Sequence, residues 1–230
     1  MARLKSNAST EAYEYIKNKI NRFDLIPGDA VSDLALSQEL DMSRTPIREA
    51  IQNLEQNGLV IKERTKYTVA PITKKDVKDI FIARIAIEKM AIECIILNNG
   101  LSAAEMVQIE AIEDKVKIML DKGDFYHSFT EDELLHTKIV EFSNNTRLME
   151  FKKMLAAQGE RLRWLSILNA KTCEDTVKEH ESIISYLEEK NLDKAIYFVE
   201  KHLYHTLNEY LNVLDDEFWL DKIIQLKKMN

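Results

Sequence analysis

Residues 43–60, SRTPIREAIQNLEQNGLV, decide how the first part of the chain folds. Ile47, Ile51 and Leu54 recur at i, i+4 and i+7, the spacing that stacks side chains on one face of a helix, while Arg44, Arg48 and Gln52 run along another face. Ser43 stands where a hydroxyl can cap the helix start. Pro46 is tolerated in a first turn whose N–H groups have no helical partner, and Gly58 ends the helix. The stretch therefore predicts an amphipathic helix that projects two arginines from its opening turns.

Working outward, Ser32 or Asp33 can cap a preceding helix with Leu36 and Leu40 facing inward, and Asp41-Met42 forms the turn between the two. Further upstream, EAYEYIKNKINRF (residues 11–23) carries Ala12, Tyr13, Ile16 and Ile20 on one stripe, and LIPGD stops it. The first ten residues are polar and patternless, and a loose arm is expected there. Helix, tight turn, helix is the geometry that places a second helix in the major groove of DNA. After Gly58 the residues become β-branched and aromatic: LVIKER, then Thr65-Lys66, then YTVAP. This predicts a hairpin wing with a basic tip (Lys62, Arg64, Lys66) suited to phosphate or the minor groove.

The composition, 45% hydrophobic and 31% charged over 230 residues, is that of a globular protein, and five glycines with three prolines favour long helices over a turn-rich β design. The net charge of -7 lies outside the first domain, because residues 1–71 hold ten Lys+Arg against ten Asp+Glu. A general attraction to a polyanion is thus not expected, and specific contacts must carry DNA binding. Cys94 and Cys173 stand far apart without CxxC spacing, so neither a disulfide framework nor a zinc ribbon is indicated. No secretory signal and no membrane-length apolar run are seen, so a cytoplasmic protein is expected.

Pro71 and ITKKD form a linker that separates residues 1–71 from a second domain, 72–230, which reads as an all-α bundle. Its opening helix carries a stripe of Ile80, Ala83, Ile87, Met90, Cys94 and Leu97, with Ile82, Ile85, Ile92 and Ile96 besides. That is too much apolar surface for one-sided burial, so a second subunit is expected against it, giving a homodimer. Helical patterns follow at 102–121, 125–143, 146–168, 174–189 and 192–214, punctuated by Gly100, Gly123, Asn144-Asn145 and Asn191. A terminal helix is expected after Asp215.

Polar residues interrupt three of these stripes. Asp132 and His136 share a sector of roughly 100° with Phe125, Phe129, Ile139 and Val140. His180 lies with Val177, Ile184 and Leu187, and His202 with Ala195, Val199, Thr206 and Val213. A single inward histidine is ordinarily a hydrogen-bonded core residue. Four ionisable groups buried around one centre are costly unless a cation satisfies them. Asp132-x-x-x-His136 sets an oxygen and a nitrogen ligand one turn apart, and two more imidazoles complete a set suited to a divalent transition metal: zinc first, then nickel, manganese or iron. His205 is a reserve ligand, and His127 falls outside the inward sector. The same set could activate water in a metalloenzyme, but an enzyme would not require the winged helix and no general base stands near the ligands. A purely structural metal is a further alternative.

The segment PGDAVSDLALSQELDMSRTPIREAIQNLEQNGLV (27–60) resembles the winged helix-turn-helix of the GntR superfamily of bacterial transcription regulators. The remainder resembles the effector domain of the FadR subgroup: Arg84 and Glu88 on an opening helix, the Asp132/His136 pair, then KEHESII and EKHL carrying His180 and His202. The resemblance implies that Arg44, Thr45 and Arg48 touch the operator, a double-stranded DNA. Ser43 and Gln52 on the same helix and Arg64 and Lys66 on the wing join them as candidates. It also implies that Asp132, His136, His180 and His202 hold a metal that helps bind a small organic acid. Arg84 matches an arginine near the effector cavity of some relatives, and its other reading is an ion pair with Glu88. The expected protein is a homodimeric repressor. Asp41 replaces the usual glycine of the turn, Ser37 replaces alanine, the wing tip lacks glycine, and the segment after Asp215 has no counterpart.

Overall fold

The computed structural model describes residues 2–168 and 173–229. The chain divides into two compact units, Met1–Ile72 and Thr73–Asn230. The first contains α1 (Ala2–Asn21), α2 (Asp33–Glu39), α3 (Arg44–Gln56) and an antiparallel pair, β1 (Val60–Glu63) and β2 (Lys66–Val69).

Its core is the stripe read from the sequence. Ile47, Ile51 and Leu54 of α3 are at most 1% exposed and pack on α1, whose Ala12, Ile16 and Ile20 are equally buried. Each such side chain contributes roughly 1.5–3 kcal/mol by leaving water. Arg44, Arg48 and Gln52 remain exposed on the opposite side of α3.

Four local features differ from expectation. The helix expected from residue 11 begins at Ala2, because nothing in ARLKSNAST, free of Gly and Pro, interrupts it. Ser43 occupies the N-cap but its side chain makes no capping bond. Pro46 sits at the third helical position, where the usual N–H donor to such a cap is missing, so the hydroxyl stays unengaged by the helix. The hairpin turns at Arg64-Thr65, one residue earlier than expected, with Glu63 opposite Lys66. Arg64 takes the left-handed backbone (φ 56°) that a glycine would supply more readily, and Asp41 does the same in the interhelix turn (φ 50°), where a short polar side chain is tolerated. Finally, the PGD turn does more than stop α1: Gly28, Asp29 and Val31 bond to the backbone of β2, and Ala30 bridges Thr68.

The second unit contains α4 (Lys74–Leu97), α5 (Ala103–Asp121), α6 (Phe125–Phe142), α7 (Thr146–Leu168), α8 (Cys173–Glu188), α9 (Leu192–Leu214) and α10 (Trp219–Met229). Capping boxes start α4 (Thr73 with Asp76) and α5 (Ser102 with Glu105). Asn191, at the expected break, is the N-cap of α9, and Lys190 takes the left-handed position before it. In α4, Ile80, Ile85, Ile87 and Ile92 are buried, but Met90 and Leu97 of the expected stripe are 46% and 70% exposed, and Ile82 is 58% exposed. Cys94 is a half-buried free thiol, and the side chain of Cys173 lies outside the described residues. No helix among the described residues is long and apolar enough to cross a membrane.

Candidate metal centre and DNA-reading face

Helices α6, α8 and α9 aim polar residues at one point because each carries them on its buried stripe. One ligand atom from each of Asp132, His136, His180 and His202 lies within 4.8 Å of all the others. The three imidazoles are at most 2% exposed. His136 Nε2 lies 3.0 Å from His202 Nε2, His180 Nε2 lies 3.4 Å from His202 Nε2, and His180 Nε2 lies 3.2 Å from Asp132 Oδ1.

The other nitrogen of each ring faces a carboxylate. His136 Nδ1 is 2.7 Å from Glu88 Oε2, although the ring N–H is aimed off the line between them. His180 Nδ1 is 2.8 Å from Glu113 Oε2, and His202 Nδ1 is 3.3 Å from Glu179 Oε2, which His205 Nδ1 also approaches at 3.2 Å. A carboxylate on Nδ1 holds the proton there and leaves the Nε2 lone pair free, the outer partnership typical of metal-binding histidines. Lone pairs converging at 3.0–3.4 Å repel unless a proton or a cation lies between them. The donor set therefore fits a divalent transition ion: three nitrogens, one oxygen and a dry surrounding.

The charges respond accordingly. Burial alone would lower the His180 pKa, but its bonds to Asp132 and Glu113 push it up to about 10. Burial, and then the charge of His180, bring His202 down to about 4. Burial would raise the Asp132 carboxyl, yet the His180 hydrogen bond and the fields of all three imidazoles hold it far below the usual carboxylate range. Burial likewise opposes ionisation of Glu179, which its bonds to His202 and His205 still hold down at about 2.

Beside the centre lies a small cavity of about 60 Å³, reached by Asp132 and His202 and walled by Arg84, Glu133, Lys152, Gly159 and Tyr210, among others. Arg84 does pair with Glu88 (Nε to Oε1, 3.1 Å), and with Glu133 as well (Nη2 to Oε2, 3.2 Å). His205 lines the cavity but stands outside the four-residue cluster, and His127 is exposed, bonded to Asp124 at the start of α6.

On the first unit, Arg44, Arg48, Gln52, Arg64 and Lys66 line one shallow concavity; Ser43 and Thr45 are exposed at the start of α3 but lie outside it. Asp33, which the sequence reading treated only as a cap, grips both arginines: Arg44 Nη2 at 2.8 Å and Arg48 Nε at 2.6 Å from Oδ2. Glu113, Glu133, Lys152 and Glu179 were also missed. Glu113 was findable, since it shares the buried face of Ile109, Ile112 and Val116. Lys152 falls between Leu148 and Leu155 on an otherwise mixed helix and carries no comparable signal.

A winged helix-turn-helix unit and an all-helical unit around a buried Asp/His cluster define a two-part transcription regulator. The chain belongs to the gntR family of bacterial regulatory proteins: that family's model matches residues 8–68, and the FCD domain model matches 79–205. It is 27% identical over 215 residues to the HTH-type transcriptional regulator YdhC of Bacillus subtilis (strain 168), covering 89% of this chain and 91% of the relative. It is 26% identical over 208 residues to the HTH-type transcriptional repressor GlaR of Escherichia coli (strain K12), covering 85% and 92%. Among solved structures, E. coli McbR/YncC shares the fold with a TM-score of 0.73 at 19% identity, covering 89% of this chain and 97% of that one. The family and these relatives are transcriptional regulators, not enzymes.

Proposed function

We propose that this chain is a cytoplasmic, homodimeric repressor whose hold on a DNA operator is controlled by a small organic acid bound at a divalent metal in the second unit. The observation that carries this reading is the convergence of three Nε2 atoms and one carboxylate oxygen, each imidazole backed by its own carboxylate. Asp132, His136, His180 and His202 would hold the ion, zinc first, with nickel, manganese and iron as other occupants. A bound ion supplies a positive centre with open positions that can accept a ligand carboxylate. The residues around it do the rest: Glu88, Glu113 and Glu179 orient the rings, and Arg84 adds positive charge to the cavity wall.

Arg44, Thr45 and Arg48, with Ser43 and Gln52, read base edges and phosphates in the major groove, while Arg64 and Lys66 of the wing meet the backbone. Two copies set their recognition helices about 34 Å apart, one turn of DNA. Exposed Ile82, Met90 and Tyr204, which rim a concavity between α4 and α9, support pairing through this apolar face.

Elemental analysis of protein purified without chelator, followed by operator gel shifts with candidate acids on loaded and metal-stripped protein, tests the reading. The expected result is one bound ion per chain and an acid response that chelation abolishes. Acid affinity equal in both forms would reduce the ion to a structural role, and protein that neither holds nor takes up metal would refute the site.

A further inference from the structure

Beside the cavity stands a closed ring of four ion pairs, three of whose members, Arg84, Glu133 and Lys152, line it. Arg84 meets Glu88 at 3.1 Å and Glu133 at 3.2 Å; Lys152 meets Glu88 at 3.0 Å and Glu133 at 2.9 Å. Two cations and two anions alternate, drawn from α4, α6 and α7, so the ring is neutral and each charge has two opposite neighbours. Its two anions are not equivalent. Glu88 is fully buried and held on a third side by His136. Glu133 is 30% exposed and lines the cavity, and apart from Arg84 and Lys152 it has no other ion pair among the described residues.

We propose that Arg84 and Lys152 form a carboxylate-binding subsite of the effector cavity, filled by the protein's own Glu133 until an acid group of the ligand displaces it. The inference rests on the reading of this cavity as an effector site and sharpens its ligand to an acid with two carboxylates, one for the metal and one for the cation pair. The physical case is one of exchange. Removing an anion from two buried cations is prohibitive, but replacing one carboxylate with another leaves every charge paired. The two cations present donors to a carboxylate from two sides, the arrangement that makes charge-assisted bonds strong. Glu133 can leave because it is the most exposed member of the ring, and its departure enlarges a cavity of only about 60 Å³ beside both cations. Glu133 also follows Asp132 directly on α6, so displacement acts on the helix that carries two of the candidate ligands.

Sodium formate, the smallest carboxylate, is the probe, with sodium chloride at equal ionic strength as control. In the full-length Glu133→Ala variant the vacated slot should take up formate: the thermal midpoint rises saturably with formate relative to chloride, and by more than in wild type, where the metal offers the open position for it. Should that variant not fold, Glu133→Gln serves by calorimetric titration. It is expected to bind formate about tenfold or more tightly than wild type, the worth of one charge-assisted hydrogen bond, and Glu133→Gln with Lys152→Met should lose that gain. Formate and chloride acting alike on both Glu133 variants would overturn the subsite. Repeating the titrations on metal-stripped protein separates this idea from the reading beneath it. Formate uptake that survives chelation, with no acid altering operator binding, keeps the subsite and sinks the effector role. An acid response in wild type without formate uptake in either variant sinks the subsite alone.

Discussion

Two clusters in this molecule have the same chemistry in opposite surroundings. On the first unit, one carboxylate, Asp33, holds Arg44 and Arg48 in the open; in the second, Glu88 and Glu133 hold Arg84 and Lys152 nearly out of reach of water. The Arg44 and Arg48 side chains are 50% and 60% exposed, while those of Arg84 and Lys152 are 13% and 3% exposed. Exposed pairs are worth little because water competes for both partners, so Asp33 can release its arginines to phosphate or guanine at small cost. A buried cation has no such freedom: burial alone would lower Arg84, and the fields of Glu133, Glu88 and Asp132 more than offset it and keep the guanidinium charged. One cluster is therefore arranged to be unmade by a partner and the other to be exchanged like for like.

The contrast breaks first on stability. Lys152→Ala leaves the buried Glu88 and the half-buried Glu133 short of a partner and should cost about 3–5 kcal/mol in denaturant unfolding. Arg44→Ala and Arg48→Ala, at the surface, should each stay within about 0.5 kcal/mol. Equal losses at Lys152 and Arg44 would mean that burial does not distinguish the clusters.

The candidate metal centre is next. His180→Ala removes one of four candidate ligands and should weaken zinc binding by more than the roughly 10–100-fold expected for Glu113→Gln, which removes only an outer partner. Competition with a chelating dye measures both, and an unchanged affinity in His180→Ala would remove that residue from the ligand set. At the DNA-reading face, Arg44→Ala should cost about 1–3 kcal/mol of specific binding at each half-site while leaving the circular dichroism spectrum unchanged. A wild-type gel shift from this variant would dismiss Arg44 as a reader.

A subtler difference lies in pH. His180 is raised to about 10 in the fold against an ordinary 6.5, so its contribution is complete below pH 6.5 and is lost as pH climbs toward 10. His202 is lowered to about 4, so its contribution is present above pH 6.5 and fades as pH falls toward 4. In metal-free protein the two slopes oppose, giving a stability maximum near neutrality. With zinc in the proposed place of the His180 proton, the loaded protein should hold its midpoint on the alkaline side where the stripped protein declines. Parallel declines in loaded and stripped protein would show that the ion does not take the proton's place.

How much could be read from residues alone follows the same division. Helix α3 and the four ligand candidates were legible because periodicity records which face is buried: Ile47, Ile51 and Leu54 on one side, and histidines on stripes where apolar residues belong. The ring of Arg84, Glu88, Glu133 and Lys152 was legible only in its i, i+4 member, because the other contacts join different helices and no spacing encodes them. Asp33 looked like a helix cap because its role depends on how α2 meets α3. The missing cap at Ser43 could have been foreseen, since Pro46 removes the donor.

The smallest effect concerns Gly159, in the interior of α7 and on the cavity wall. A helix-interior glycine is about 0.5–1 kcal/mol less stable than alanine. Here a Cβ would meet nothing within 4 Å, so no packing constraint accounts for its absence. The open space is explained if a ligand comes against the α7 backbone at that point. Gly159→Ala should therefore raise the unfolding midpoint by about that amount while weakening the response to the acid, since the added methyl projects into the space the ligand uses. The two readouts decide different things. A stabilised variant with an unaltered acid response would place the ligand elsewhere in the cavity, toward Arg84 and Tyr210. A destabilised one would mean that α7 lies closer to its neighbours than the open wall implies, and that the buried cluster, unlike the arginines at the surface, has no room to receive a partner without the helix moving.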